Sequence, residues 1–408
     1  MTDRLRLATG TAEVLASLRR SLTGNGVTAA LPPTGPERQQ TLTMLHPEQP
    51  VAEADAAAVV ATSGSTGRPR GVVLSRSALV ASAEATHARL GGAGSWVLAL
   101  PPHYVAGLMV LVRAAVGGRS VHEVEGRLSG LTDLRLGDGP AYVSVVPTQL
   151  TRALADPALT QALRRFDAVL LGGAAADPQM LETAAESGIR VVTTYGMSET
   201  CGGCVYDGRP LADVDIDLDD AGRISIGGPT VFAGYRLDPV ATAEALVEGR
   251  LVTRDRGAFV DGRLTVLGRL DDVVISGGMN VDLAVVERAV RTWAAREGAE
   301  AAVVGVPDPD WGTQVVAVVE DDEQNLPHVP TSPPDLSGAL QTRGRFSSAS
   351  LHDALAADLP RFAQPRRLLV VRTLPRTSSG KIDRRRLIAE LTVDQATPTS
   401  DPNAGPES

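Results

Sequence analysis

The chain has 408 residues, a formal net charge of -9, and 43% hydrophobic against 21% charged side chains. That length exceeds one ordinary core, so two or more domains are expected, and the negative balance argues against a general binder of nucleic acid or acidic membrane. No apolar run approaches the roughly 20 residues of a membrane helix, and no basic segment followed by an apolar run opens the chain, so a cytoplasmic enzyme is expected.

The first 50 or so residues are weakly patterned and contain Pro32-Pro33. From Ala57 the pattern sharpens: Ala57–Ala61 reads as a short apolar strand that enters a polar, Gly-rich loop, read as lying between a strand and a helix, and Ser75–Leu90 reads as that helix. Trp96–Leu100, Tyr142–Val146, Ala168–Leu171 and Val191–Thr194 are short continuous apolar runs, the pattern of strands buried on both faces. Helices separate them, the clearest with Asp177 as N-cap, Pro178 in its first turn and Gly188 at its stop. Alternating strands and helices predict an α/β fold with a mostly parallel sheet. After about Gly202 the style becomes β-rich, with Arg223–Ile226 and Leu251–Leu267 strand-like and Asp261-Gly262 as a hairpin turn. A smaller α+β part follows: helix Asp282–Arg296, strands Ala301–Val306, Val315–Glu320 and Arg366–Val371, and a short basic helix. These patterns divide the chain into a large domain over 1–268 and a smaller one over 269–391. Residues 321–349 read as a mobile Pro-rich insertion and 392–408 as a disordered tail.

Five segments carry chemistry. Thr62-Ser63-Gly64-Ser65-Thr66-Gly67-Arg-Pro-Arg70-Gly71 combines hydroxyls with glycines that let backbone N–H groups approach phosphate oxygens, and lacks the Gly-Lys-Ser/Thr of a Walker loop. Thr194-Tyr195-Gly196-Met197-Ser198-Glu199-Thr200 ends a predicted buried strand. Its Glu199 can hold magnesium through oxygen, Thr200 can touch a phosphate and Tyr195 offers a face to a base. Gly172-Gly173-Ala174 follows another such strand, and ligands of open α/β sheets sit outside the carboxyl ends of strands. Gly268–Asn280 carries Asp271-Asp272 and then Gly277-Gly278, which suits either a hinge or a β-hairpin and loop.

The fifth segment, Pro375–Asp383, holds Lys381, the one lysine among 39 basic residues. Arg is a planar fork; Lys is a compact point charge on a thin stem, able to enter a narrow gap beside a carboxylate or phosphate. Cys201 and Cys204, spaced Cys-Gly-Gly-Cys, fit a redox pair, half a zinc site or plain small filler. Arg384, Arg385 and Arg386 fit either a solvated helix or a contact to phosphates.

Together these segments resemble the adenylate-forming superfamily of acyl-CoA synthetases, luciferases and peptide-synthetase adenylation domains, over about 57–391. The resemblance implies a large N-terminal α/β domain with mostly parallel sheets and a small β-rich subdomain, joined by a hinge to a smaller α+β domain. It also implies ATP, Mg2+ and coenzyme A. Thr62–Gly71 looks like the phosphate loop, and Gly172–Ala174 with Tyr195 like the adenine site. Glu199 matches the magnesium ligand, Thr200 a phosphate contact, Asp255 with Arg269 the ribose site, Asp271 the hinge, Gly277 and Gly278 the pantetheine tunnel, and Lys381 the lysine of acyl-AMP formation. Two departures stand out: Arg70 replaces the usual Lys, a swap expected to preserve function, and the phosphate loop comes early, as if part of the large domain were trimmed.

Leu100–Leu108 aligns with the superfamily's acid-side motif and has Tyr104, preceded by His103, where amino-acid adenylators carry an aspartate. Tyr142–Leu150, Leu170–Ala175 and Asp271–Asn280 resemble the o-succinylbenzoate–CoA ligases of menaquinone synthesis, in their short actinobacterial form. His103, Tyr104, Gly107, Ser144, Thr148, Met197 and Ser198 are then the candidate acid-side residues. The expected partners are a small carboxylic acid, ATP and CoA, with no nucleic acid and no membrane insertion. A homodimer or homo-oligomer is compatible with this reading, and a ligase for another small aryl or short-chain acid is its alternative.

Overall fold

The computed structural model describes residues 5–62, 70–321, 346–377 and 381–396. It is a mixed α/β structure of two compact units, one comprising 1–253 with 257–265 and the other 254–256 with 266–408.

The chain up to residue 269 forms three sheets. Strands Leu5–Thr9, Val27–Leu31 and Ala56–Thr62 run parallel, Arg70–Ser75 adds antiparallel to the last of them, and Gly234–Tyr235 pairs antiparallel with Arg70–Ser75. The weakly patterned start therefore supplies two strands of this sheet, together with helices Thr11–Ser21 and Gly35–Leu45. The expected strand–loop–helix around the hydroxyl-rich loop is corrected here. Arg70–Ser75 is a strand whose Gly71–Leu74 stretch is buried, so residues 63–69 join two antiparallel strands and the helix Arg76–Leu90 comes later. A buried, β-branched Val72-Val73 pair prefers the pleated sheet to a first helical turn.

The second sheet positions the site. Strands Val191–Met197, Ala168–Leu171, Ala141–Val145, Ser95–Leu98 and Val121–Glu123 lie side by side and parallel, and Gly202–Tyr206 with Arg209–Pro210 extends the sheet antiparallel. One face packs on a cluster that includes Val143, Val169, Leu150, Leu163 and Met180, contributed by the strands and by helices Pro147–Leu154, Pro157–Leu163 and Pro178–Glu186. Helix Val105–Gly117 packs on the other face and against Arg76–Leu90, which reaches the first sheet. Buried from Gly107 to Ala114, this helix reads apolar on every side, as a helix between two sheets must. The third sheet contains strands Asp215–Leu218, Arg223–Gly227, Leu246–Val247, Arg250–Val260 and Arg263–Arg269. Asp261 and Gly262 both have positive φ, 49° and 69°, the conformation that a two-residue hairpin turn of this hand requires.

In the second unit, strands Met279–Asp282, Val273–Ser276, Gly312–Glu320 and Glu300–Asp308 form one sheet, and Arg367–Val371 pairs parallel with Gly312–Glu320. Ala301 and Val303 face helix Leu283–Ala295, while Ala302, Val304 and Val306 face helix Arg384–Ala396. Covering on both faces explains an apolar run without alternation. Two boundaries differ from expectation. Residues 346–349 close no mobile insertion: Phe346 is fully buried, 5.5 Å from Trp293 between ring centroids, and Ser347 caps helix Ser348–Leu355. The last helix continues to Ala396, past the expected start of the tail at 392.

Candidate active site

Because five strands of the second sheet are parallel, their carboxyl ends lie on one edge, and the segments leaving that edge converge. Val145 stands beside Leu171 and Leu171 beside Thr193 in register. The Gly172 amide donates to the Val145 carbonyl at 3.2 Å, and the Thr194 hydroxyl donates to the Leu171 carbonyl at 3.2 Å. A Cβ on Gly172 would lie 2.5 Å from Thr194 Oγ1, so the two neighbouring strand ends meet only because residue 172 has no side chain. Gly173 and Ala174 are exposed beyond them, and Tyr195 is half-buried at the end of the next strand. Ser63, Gly64, Ser65, Thr66 and Gly67 lie outside the described residues; Thr62 and Arg70, which flank them, pair across their two strands.

Glu199 and Arg70 meet on one tyrosine. Tyr235 donates its hydroxyl to Glu199 Oε1 at 2.8 Å, and the Arg70 guanidinium carbon lies 5.1 Å from the centre of its ring, a cation–π distance. Burial and the adjacent Glu199 carboxylate push the phenol well above its ordinary pKa, against the pull of Arg70, so it remains a donor. Arg236, next in sequence, is buried and gives its guanidinium to the carbonyls of Leu45, His46, Gln49 and Pro50. Thr200 is buried; its hydroxyl accepts the Met197 amide at 2.9 Å and lies 2.7 Å from the Gly202 carbonyl, which ties it into its own turn. Met197 and Ser198 are half-buried in the same turn.

The candidate acid-side residues lie on several elements of this region. His103 and Tyr104 stack at 4.3 Å between centroids, and Tyr104 donates to Glu37 Oε1 at 2.5 Å. Burial lowers the His103 pKa, opposed by the charge of Glu37, so the imidazole is neutral near pH 7. A Cβ on Gly107 would stand 2.2 Å from the Pro101 carbonyl oxygen, so glycine lets the helix start directly against that loop. Ser144 is buried, and its hydroxyl has no partner among the described residues. Thr148 is half-buried in the first turn of the following helix. Gln149, missed by sequence reasoning, is buried and bonds Val146 N, the Ala99 carbonyl and the Gly126 carbonyl, fixing three loops of this edge. Tyr235, Arg236 and Glu37 were also missed. Only Gln149 left a usable signal, as a glutamine three residues after the strand end Val146.

In the second unit, Asp271 accepts from Arg254 at 3.1 Å and from Arg269 at 3.5 Å. Residues 273–282 form a β-hairpin whose turn is Gly277-Gly278, both at positive φ. A Cβ on Gly277 would meet the Trp311 ring at 2.5 Å, and the Gly277 amide donates to the Trp311 carbonyl at 3.0 Å. Lys381 is exposed at its surface, yet the protein around it and the charge of Arg269 lower its pKa, while Asp255 raises it. Asp255 is half-buried. Arg384 pairs with Glu287 and Arg386 with Glu390.

No group of three or more His, Cys, Asp or Glu side chains placed to hold a metal occurs among the described residues. A single carboxylate with one oxygen engaged, as on Glu199, fits Mg2+ nonetheless. This ion keeps several waters and commonly takes one or two carboxylates plus substrate phosphates rather than a protein cage. Cys201 and Cys204 are free and fully buried, and burial pushes the Cys204 thiol up to about 12. No described helix is long and apolar enough to cross a membrane.

Residues 8–259 match the model of the AMP-binding enzyme family, and residues 293–381 match that of the AMP-binding enzyme C-terminal domain. The chain is 42% identical over 387 residues to the probable 2-succinylbenzoate–CoA ligase of Mycobacterium tuberculosis, covering 93% of this chain and 95% of that protein. It is 29% identical to the 2-succinylbenzoate–CoA ligase of Enterococcus faecalis, covering 87% and 73% of the two. Among solved structures, a point variant of Escherichia coli MenE with bound OSB-AMS matches at TM-score 0.72 and 25% identity, over 97% of this chain and 89% of that one. ATP-bound MatB from Rhodopseudomonas palustris shares the fold at TM-score 0.75 and 21% identity, over 96% of each chain. With most of its length matched by these models and relatives, this chain belongs to the AMP-binding enzyme family.

Proposed function

We propose that this chain is an AMP-forming acid–CoA ligase that converts o-succinylbenzoate to o-succinylbenzoyl-CoA in menaquinone synthesis. The observation that carries the reading is its identity to the M. tuberculosis ligase across nearly the full length of both proteins.

The chemistry has two steps. A carboxylate oxygen of the acid attacks the α-phosphorus of ATP, the bond to the β-phosphate oxygen breaks, and pyrophosphate leaves with its electron pair. The CoA thiolate then attacks the acyl carbonyl and AMP departs. In the first step two anions must meet, so the protein's work is positioning and charge stabilisation. The strand-end residues Gly172, Gly173, Ala174, Thr194, Tyr195 and Gly196 form a small-residue shelf with one aromatic face, suited to a flat base. Thr62, Arg70 and the loop between them serve the phosphates. Glu199 would hold Mg2+, which neutralises phosphate oxygens when bound. Asp255 with Arg269 takes the ribose hydroxyls, and Lys381 bridges carboxylate and α-phosphate oxygens. For the thiol step, the smaller unit turns about Asp271, withdrawing Lys381 and presenting Gly277 and Gly278 to the pantetheine arm. His103, Tyr104, Ser144 and Thr148 bind the acid, whose second carboxylate and ketone need polar partners. A reaction that consumes ATP and CoA belongs in the cytoplasm, where both are made.

ATP–pyrophosphate exchange with a panel of acids tests the reading. Exchange with o-succinylbenzoate, and little with benzoate, short fatty acids or amino acids, is expected. Exchange with a different acid alone discards the substrate, and no exchange with any discards the activity.

A further inference from the structure

Lys381 lies in one of two short paired arms, 375–377 and 381–383. Arg376 bridges Ile382 antiparallel, the Thr377 amide donates to the Lys381 carbonyl at 2.7 Å, and the Asp383 amide donates to the Pro375 carbonyl at 2.7 Å. Two short paired arms hold a flexible four-carbon stem poorly unless something fixes the arms to the sheet.

Both arms are fixed by arginines. On the incoming arm, Arg376 reaches Glu300 at 2.5 Å and Glu320 at 3.5 Å. Glu300 and Glu320 stand directly opposite each other in the antiparallel ladder, where like charges repel. The Arg376 guanidinium between them turns that repulsion into two attractions, and Glu320 also accepts the Leu374 amide at 2.7 Å. Directly after the outgoing arm, at the start of helix Arg384–Ala396, Arg384 reaches Glu287 at 2.7 Å. Glu287 is almost wholly buried, and its second oxygen accepts the Val303 amide at 3.0 Å. Arg291 joins the halves, lying 3.5 Å from Glu287 and 4.0 Å from Glu300. The chain of contacts Glu320–Arg376–Glu300–Arg291–Glu287–Arg384 is therefore continuous from one arm to the other. Arg291 spans its two carboxylates with different nitrogens, Nε toward Glu287 and a terminal nitrogen toward Glu300, as a planar fork can.

We propose that Arg376 and Arg384 are positioning residues that clamp the two paired arms, one bearing Lys381, through Glu300, Glu320 and Glu287, in the geometry needed for acyl-AMP formation. This rests on the assignment of Lys381 to that step. Small misplacements of a catalytic group cost rate steeply, so Arg384→Gln and Glu287→Gln should each lower the kcat of ATP–pyrophosphate exchange by about ten- to a hundredfold. The KM values for ATP and acid should stay within about twofold, because no substrate contact is removed.

The experiment measures exchange, and separately the thiol step from supplied acyl-AMP, for Arg384→Gln, Glu287→Gln, Arg376→Gln, Lys381→Ala and the Lys381→Ala/Arg384→Gln pair, each with its melting temperature. Loss confined to exchange, with no further loss from Arg384→Gln once Lys381 is gone, is the expected result. Should Arg384→Gln fail to fold, Glu287→Gln, which keeps size and shape, carries the same comparison. Equal losses in both steps, unchanged exchange, or an additive loss in the double variant overturns the clamp. Full exchange in Lys381→Ala instead removes the lysine assignment itself, a separate failure.

Discussion

Tyr235 donates its hydroxyl to Glu199 across two sheets: the tyrosine sits in the strand beside Arg70–Ser75, and the glutamate leaves the end of Val191–Met197. The bond occupies one carboxylate oxygen and aims the other. Under the reading that Glu199 holds Mg2+, Tyr235→Phe leaves the fold intact at a cost of about 2 kcal/mol, the usual worth of a bond to a charged group. The expected functional change is a several-fold higher Mg2+ requirement for exchange, with KM for the acid unmoved. A magnesium titration of exchange at fixed ATP, read beside the melting curve, checks this; an unchanged requirement removes Tyr235 from the metal side of the site.

Ser144 carries a different signature. Its buried hydroxyl has no partner among the described residues, and a hydroxyl left so in the folded protein costs stability. Ser144→Ala should therefore melt no lower than the parent. If the hydroxyl instead serves the acid, the same variant raises KM for o-succinylbenzoate by about fivefold, corresponding to one hydrogen bond of ~1 kcal/mol. A fall in melting temperature with KM unchanged would identify a structural hydroxyl.

How much of this was legible beforehand varies by residue, for physical reasons. The strands Ala141–Val145 and Ala168–Leu171 announced themselves because burial on both faces demands uninterrupted apolar runs, and Asp177-Pro178 marked a helix start through local capping chemistry. Tyr235, Arg236 and Glu37 act on partners 36, about 190 and 67 positions away, so no spacing rule reaches them. The first 50 or so residues read as weakly patterned because Val27–Leu31 is only five residues long and its companion helices have exposed faces. Phe346 looked like the end of a polar insertion because its packing partner, Trp293, lies in a different helix. The Glu300–Glu320 pairing could be guessed from two strands of equal length, but the arginine that neutralises it comes from beyond residue 370.

Cys201 and Cys204 give a prediction that separates the readings of Cys-Gly-Gly-Cys. Both thiols are buried, and burial raises both above the ordinary range. The thiolate is the reactive form, so neither should react with a disulfide reagent in the folded enzyme, and modification should track unfolding. Titration with such a reagent across a denaturant series checks this. Fast reaction of the native protein would revive the redox pair.

Under the proposed role of Lys381, Lys381→Ala should lower acyl-AMP formation by roughly two or more orders of magnitude, because it would remove the charge that bridges the two reacting anions. The thiol step from supplied acyl-AMP should stay nearly intact. Lys381→Arg should not restore exchange, since the wider fork changes both reach and shape. The pH dependence follows from the same residue. Its pKa is lowered by the protein around it, then by Arg269, against the opposing pull of Asp255. A base whose folded pKa lies below its unfolded value is favoured in its neutral form, so the ammonium is lost at a lower pH than in an ordinary lysine. If exchange uses this ammonium as proposed, its alkaline limb should fall below the ordinary lysine range, while the thiol step keeps its activity through that window. For folding stability the sign is the reverse of a salt-bridged lysine: keeping this group charged costs stability below its folded pKa, and the cost fades as pH rises through the unfolded value. Parallel pH profiles of the two half-reactions test this. A limb common to both, or one at the ordinary lysine value, would show that another group limits the first step.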